Sequence, residues 1–300
     1  WPLNRYRRLE LTGGLLQYTE NFNDPTLQDY SEGYQEENYG RELFRSGTFI
    51  PLGINFVQET TIFREFGPLS GSTVRAAYEY APKIGNSLQR QTADIDARYY
   101  MRLGASGLLA LRAKGFRSWG EAPDFMYFGG NSEMRGYEYL QFVGDSTAFF
   151  NAELRFPLIE AMLTPIGVLG GIRGVFFANM GGGSFEGQPA TPPRTSGGGF
   201  KWWSNDTELY TPIIGYRPTG PVQQEPIFGD PVPIDGFRLV DARASYGVGL
   251  ETFALGFPIH FDWAWKTLFN KDWEDQLFRP FGGSDEFRKV KFSVWIGYDF

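Results

Sequence analysis

The chain has 300 residues, no cysteine, a single histidine and a formal net charge of −7 at pH 7. These features exclude disulfide scaffolds and metal sites built from cysteine or clustered histidine. The acidic balance, with no basic block, argues against a nucleic-acid partner. No run approaches the roughly 18 apolar residues of a membrane helix, whereas 38 Gly, 28 Phe and 16 Tyr favour strands and turns.

Ten segments of the chain have the pattern of β-strands. The clearest is 91–103, where apolar Ile95 and Tyr99 alternate with charged Asp96 and Arg98. Alternation of this kind predicts a strand with one face towards lipid and the other towards water. In chain order, strands are predicted near 5–18, 47–64, 71–81, 89–102, 106–117, 146–157, 170–178, 239–252, 256–266 and 288–300.

The strands of a soluble β-sandwich also alternate, so this alternative has to be weighed. The segments here are longer than the usual strand of about five or six residues. Their polar faces carry charges of both signs, as a hydrated interior accepts. The pattern therefore predicts an all-β fold, an antiparallel transmembrane β-barrel with about ten strands.

The links between these strands alternate in length. Short links are 65–70, 103–105, 158–169 and 253–255. Long polar links are 19–46, 118–145, 179–238 and 267–287, with a short exception near 82–88 on their side. Outer-membrane barrels have short periplasmic turns and longer extracellular loops, so the long links are predicted to be extracellular and residues 1–300 to form one barrel domain. Within them, 268–278 could form a short helix, and the acidic stretch 20–42 is expected to be a solvated loop because it lacks a known calcium-ligand spacing.

A motif inside the long link 118–145, which follows the fifth predicted strand, carries a family resemblance. Residues 128–137 read Phe-Gly-Gly-Asn-Ser-Glu-Met-Arg-Gly-Tyr, residues 151–157 read Asn-Ala-Glu-Leu-Arg-Phe-Pro, and the chain ends in Phe-Ser-Val-Trp-Ile-Gly-Tyr-Asp-Phe at 292–300. Together they resemble the BamA/TamA superfamily of outer-membrane assembly and secretion barrels, also called the bacterial surface antigen family. The resemblance implies that the motif loop folds back into the barrel.

The resemblance also assigns roles to individual residues. The loop motif comprises Gly129, Gly130, Arg135, Gly136 and Tyr137. Arg135 is expected to pair with acidic residues on the two following strands, of which Glu153 is one. The family's second partner is an aspartate in a Phe-x-Asp-x-Gly pattern. Here the stretch ends in Asn179-Met180-Gly181, so Asn179 is expected to offer Arg135 a neutral acceptor. Trp295, Tyr298 and Phe300 would form the C-terminal assembly signal.

The number of strands departs from the family pattern. Five predicted strands follow the motif loop, as in the family, but about five precede it where the family has eleven. The resemblance therefore implies the C-terminal part of a larger sixteen-stranded barrel, while a complete ten-stranded barrel is the alternative.

The resemblance implies protein insertion or translocation at the bacterial outer membrane, without catalytic residues, metal or cofactor. The expected partners are outer-membrane lipids and lipopolysaccharide, client proteins and subunits of the assembly machinery. The alternative function is a membrane anchor or passive pore for a fused upstream domain. His260 beside Asp262 could instead serve a barrel hydrolase, but a polar residue lining the interior is the better interpretation. Aromatic residues expected in the interfacial girdles are Trp202, Trp203, Trp263, Trp265 and Tyr298.

Overall fold

The computed structural model describes residues 1–39, 42–43, 45–64, 67–104, 106–159, 162–164, 167–169, 171–187, 200–219, 224–254 and 257–297. The helices are α1 (Pro25–Tyr39), α2 (Lys271–Leu277) and α3 (Gly283–Phe287), with a 3-10 turn at Arg279–Phe281. The strands are β1 (Pro2–Asn4), β2 (Arg7–Gly13), β3 (Leu16–Tyr18), β4 (Gly47–Phe49), β5 (Leu52–Glu59), β6 (Ile62–Arg64), β7 (Gly67–Ala81), β8 (Arg90–Leu103), β9 (Gly107–Gly120), β10 (Met126–Phe128), β11 (Phe142–Gly144), β12 (Ser146–Ile159), β13 (Met162–Thr164), β14 (Gly167–Leu169), β15 (Ile172–Ser184), β16 (Trp203–Ser204), β17 (Glu208–Tyr210), β18 (Ile213–Pro218), β19 (Gln224–Phe228), β20 (Val232–Ile234), β21 (Arg238–Leu239), β22 (Arg243–Ala254), β23 (Phe257–Thr267) and β24 (Lys291–Ile296).

One large antiparallel sheet organises the molecule. Its strands follow the order β1-β2-β5-β7-β8-β9-β12-β15-β22-β23-β24, with β6 paired to β7. Each of the ten predicted segments contributes one strand to the path that runs from β2 to β24. The predicted antiparallel β-barrel fold is therefore confirmed. In the described part of the chain, β1 and β24 stand at the two ends of this sheet. The long links all lie at one end of the strands, because neighbouring strands run in opposite directions.

The two faces of the sheet differ as the alternation predicts. On β8, Ile95 is 47% exposed and Tyr99 50% exposed, and both lie on the outer face. Asp96 lies on the inner face, where it pairs with Arg98 at 3.0 Å and Arg112 at 2.7 Å. Large apolar side chains are exposed in the same way on the other long strands, among them Phe150, Leu154, Phe176, Val248, Leu250, Phe292 and Val294. A soluble sandwich would bury its apolar face between two sheets and expose its polar face, the reverse of what is seen here, so this alternative is wrong.

Two of the predicted links contain more structure than their composition suggested. Strand β15 continues to Ser184, whereas the prediction placed a link from 179, because Gly181, Gly182 and Gly183 pair with β12 in regular register. In 20–42, expected to be a solvated loop, residues 25–39 form α1. The signal was available, since Asp24 accepts the Thr26 N–H at 2.9 Å as an N-cap and Pro25 occupies the first helical position.

The described residues of the links 179–238 and 267–287, together with residues 239–244, build a cap around an apolar core. The strand pairs β16–β21, β17–β20 and β18–β19 form a ladder of short hairpins, and α2 confirms the helix predicted in 268–278. The buried core comprises Tyr210, Ile234, Leu239, Val240, Ala242, Ala244, Leu268, Trp273 and Phe287. Trp202, expected in an interfacial girdle, packs against this core instead. Among the described residues, no helix has both the length and the apolar character needed to cross a membrane.

Candidate functional site

The loop between β9 and β12 folds against the inner face of the sheet. Strands β10 and β11 pair and bring the chain to a tight turn. Gly129 and Gly130 have φ values of 134° and 80°, which favour glycine. A side chain at Gly129 would place its Cβ 2.8 Å from the carbonyl oxygen of Glu138. The Gly129 N–H donates to the Glu133 carboxylate at 2.9 Å, which closes the turn.

The next part of the loop lies against β22 and β23. Gly136 has a φ of 88°, and a Cβ there would lie 3.1 Å from the Cβ of Ala264. The Tyr137 hydroxyl donates to the Ala244 carbonyl oxygen at 3.0 Å. The Lys266 ammonium lies 5.7 Å from the centre of the Tyr137 ring. Glycine is therefore required at position 136, both for its backbone conformation and for its close approach to Ala264.

Arg135 is the centre of a buried charge cluster. Its Nη1 donates to Glu153 Oε1 at 2.6 Å, and its Nε lies 3.1 Å from Asp262 Oδ2. The exposed fractions of Arg135, Glu153 and Asp262 are 2%, 0% and 2%. The Nε contact is a charge pair whose angle does not suit a hydrogen bond. Arg155 also pairs with Glu153, at 2.7 Å. Removed from water, such contacts are stronger than on a surface.

Aromatic rings complete the surroundings of the guanidinium group. The Cζ of Arg135 lies 4.6 Å from the centre of the Phe177 ring and 5.9 Å from that of Trp295. A guanidinium stacks well on aromatic faces, and this contact gains strength when both groups are desolvated. Arg135 is therefore bordered by two carboxylates and two aromatic side chains from four different strands.

Asn179 differs from its expected role as the second partner of Arg135. Its Oδ1 accepts a hydrogen bond from the Asn151 amide at 2.8 Å, and its Nδ2 donates to Ser245 Oγ at 3.2 Å. Asn151 also donates to the backbone carbonyl oxygen of Glu133 in the loop. Asn179 thus holds the loop indirectly, and the second carboxylate comes from Asp262 on β23.

Gly181 lies beneath the apolar part of the loop. A Cβ at this position would lie 2.8 Å from Phe149 Cβ, 2.9 Å from Phe128 Cε2 and 3.1 Å from Met134 Sδ. These three side chains are fully buried and belong to one cluster with Met126 and Tyr137. The absent side chain at Gly181 therefore leaves the room in which the loop packs.

Trp295 is the member of the expected C-terminal signal that the structure describes, while Tyr298 and Phe300 lie outside the described residues. Its indole N–H donates to Asp262 Oδ2 at 2.7 Å. Its ring stacks on His260 with a centroid distance of 3.7 Å and an angle of 6°. His260 Nε2 contacts the Gly297 carbonyl oxygen at 2.9 Å. These contacts support the interior-lining interpretation of His260 over a catalytic pair.

The sequence did not predict the pairing of Arg135 with Asp262, because this pairing depends on strands that are far apart in the chain. Asp262 was placed on the inner face but not beside Arg135, because it lies 127 positions further along the chain (262 − 135). In the part of the chain that the structure describes, no group of three or more acidic or histidine side chains could hold a metal ion. The cluster is suited to hold a loop in place, since its arginines are matched to its carboxylates.

The apolar outer face, the charged inner face and the inward loop together define a bacterial outer-membrane β-barrel. The sequence profile of the Omp85 superfamily domain matches residues 55–300. The chain therefore belongs to the Omp85 superfamily, a family of outer-membrane protein insertion and translocation barrels, which confirms the resemblance and places the chain in the bacterial outer membrane.

A solved structure provides a comparison of the fold. BamA from Haemophilus ducreyi, crystallised without POTRA domains 1–3, matches with a TM-score of 0.54 and 12% sequence identity. The match covers 98% of this chain and 52% of that chain, so the chain spans about half the length of the solved structure. At this identity the likeness concerns the fold alone. No curated protein matches the chain.

Proposed function

We propose that the chain acts, without catalysis, in inserting or translocating proteins at the outer membrane. The observation that carries this proposal is the loop arginine, Arg135, held inside the barrel by the buried carboxylates of Glu153 and Asp262. A loop fixed in this way next to the last strands couples the interior of the barrel to an edge of the sheet. A barrel that served only as an anchor would not require this coupling.

The proposed mechanism is non-covalent. In lipid, backbone N–H and C=O groups have to be satisfied by neighbouring strands. In the described part of the chain, β24 pairs with β23 over Lys291–Ile296 and stands at the end of the sheet. An extended client strand could add to such an edge by backbone hydrogen bonds. Opening and closing of this edge would then admit and release the client.

We further propose that residues 1–300 form a single barrel domain with the links 19–46, 118–145, 179–238 and 267–287 outside the cell. The buried core of the cap supports this orientation, because folded loops of this size are typical of the extracellular side. The proposed partners are lipids and lipopolysaccharide around the barrel, together with client proteins or assembly-machinery subunits. A passive pore is less favoured, since the motif loop fills part of the interior.

Reconstitution tests the proposal directly. The full-length protein, in liposomes of outer-membrane lipids, should raise the yield of folded client barrel, measured by the heat-modified gel shift of an unfolded outer-membrane barrel added from urea. Arg135→Ala should lower this yield, whereas Arg217→Ala, an exposed arginine in the cap, should not. Client folding no faster than in protein-free liposomes, combined with a steady conductance, would favour the passive pore.

A further inference from the structure

Asp262 lies between the motif loop and the last described strand. We propose that Asp262 is the positioning residue through which Arg135 holds β24, in place of the aspartate that the family motif would put at position 179. The carboxylate contacts Arg135 Nε at 3.1 Å and the Trp295 indole N–H at 2.7 Å. One oxygen, Oδ2, serves both contacts, so the loop and β24 meet at a single atom.

The burial of these groups makes the connection strong. Asp262 is 2% exposed and Trp295 8% exposed. A buried carboxylate needs compensating charge and hydrogen-bond donors, and Arg135 and Trp295 supply both. Removing either contact leaves the carboxylate less well compensated. The positions of the loop and of β24 are therefore energetically linked.

The neighbouring strand leaves room for this carboxylate. Gly249 on β22 stands directly opposite Asp262 on β23. A Cβ at Gly249 would lie 2.4 Å from Asp262 Oδ1, which is too close for any real contact. The absence of a side chain at Gly249 thus allows Asp262 to take its position beside Arg135. The site is built by both strands.

A second contact joins the loop to the same strand. The Lys291 ammonium at the start of β24 pairs with the Glu138 carboxylate of the loop at 2.5 Å. The side chain of Glu138 is 79% exposed, so water and salt screen this pair. This pair also holds the motif loop against β24, but the buried contact through Asp262 is the stronger of the two.

The effect of this coupling on client proteins rests on the proposed function. Loosening the Arg135–Asp262 contact would loosen β24, the strand proposed to receive a client. Hydrogen exchange measures this without any client, so a protein that fails to insert clients could still show the coupling. Conversely, a protein without this coupling could still insert clients, so the two tests can fail independently.

Amide hydrogen exchange of residues 291–296, measured in the full-length protein in lipid nanodiscs, tests the coupling. Asp262→Asn and Trp295→Phe should each speed this exchange about tenfold, the factor expected for loss of one hydrogen bond to a charged group. Asp96→Asn is the matched control, because it also removes an inner carboxylate between two arginines but lies on β8. Its exchange in 291–296 should equal that of the parent. Parental exchange in both test variants would overturn the proposal.

A double-mutant cycle separates positioning from simple packing. In the parent, Asp262→Asn should lower the urea midpoint of unfolding. In an Arg135→Met background the same change should lower it less, because the ion pair between Asp262 and Arg135 is already absent. An equal loss in both backgrounds would show that residue 262 only fills space and would overturn the inference. Trp295→Phe keeps the exchange test informative if Asp262→Asn does not fold.

Discussion

Replacing Arg135 by alanine removes the central cation of the buried cluster. Breaking a buried ion pair by deleting one partner costs roughly 3–5 kcal/mol, because the remaining charge stays buried. Glu153 would keep Arg155 at 2.7 Å, so the main loss comes from Asp262, which loses its ion pair with the guanidinium group. We therefore expect Arg135→Ala to lower the free energy of unfolding by about 3–5 kcal/mol.

Urea unfolding followed by the heat-modified gel shift measures this loss. With a slope of about 3 kcal/mol per molar urea, the midpoint should fall by about 1 M or more. Arg217→Ala provides the control, since this arginine is exposed in the cap. A midpoint for Arg135→Ala equal to that of the control would refute the reasoning, because an arginine inside the barrel cannot be removed without effect.

Three further changes test other parts of the structure. Gly136→Ala should cost about 1–2 kcal/mol in the same urea assay, because alanine is strained in the left-handed region and its Cβ would press on Ala264; an unchanged midpoint would show that the loop shifts freely. Burial acts to raise the pKa of Glu208, but the hydrogen bonds and charges of Lys201 and Arg238 hold this pKa below its usual value of 4.5. The ionised Glu208 therefore stabilises the cap fully above about pH 4.5, and this stabilisation is lost as the pH falls through the lower folded-state pKa. Proteolysis of the cap should accelerate on acidification in the parent more than in Glu208→Gln, and equal acceleration would contradict the assignment. Asn179→Asp should lower stability by about 1–3 kcal/mol, because it adds a buried charge and removes the donor to Ser245; a higher midpoint would show that residue 179 can reach Arg135.

The cap shows how much of the long links has tertiary structure. Arg238 is 1% exposed, and its guanidinium group pairs with Glu208 at 3.0 Å. Glu274 is fully buried, accepts the Leu268 N–H at 2.6 Å and pairs with Arg288. Such buried charges fix a particular arrangement of the links, because each would be costly without its partner. The described part of the cap is therefore a folded unit at the loop end of the strands.

The sequence by itself determined the strands and their faces, while the inward position of the motif loop was implied only by the family resemblance. Alternation along 91–103 separates Ile95 and Tyr99 from Asp96 because side chains of a strand point to opposite faces, whatever the strand pairs with. The inner orientation of Glu153 follows from the same rule. Local pattern was sufficient for the strand faces, since they depend on neighbours one or two residues away.

The tertiary structure alone decided which inner charges meet. Asp262 and Asn179 both face inwards, and the sequence favoured Asn179 as the neighbour of Arg135 because it occupies the motif position. The stagger between β15, β22 and β23 brings Asp262 to the arginine instead, next to the space left by Gly249. Alternation fixes the face of a side chain but not its height in the barrel, and height is set by the register of strands far apart in the chain.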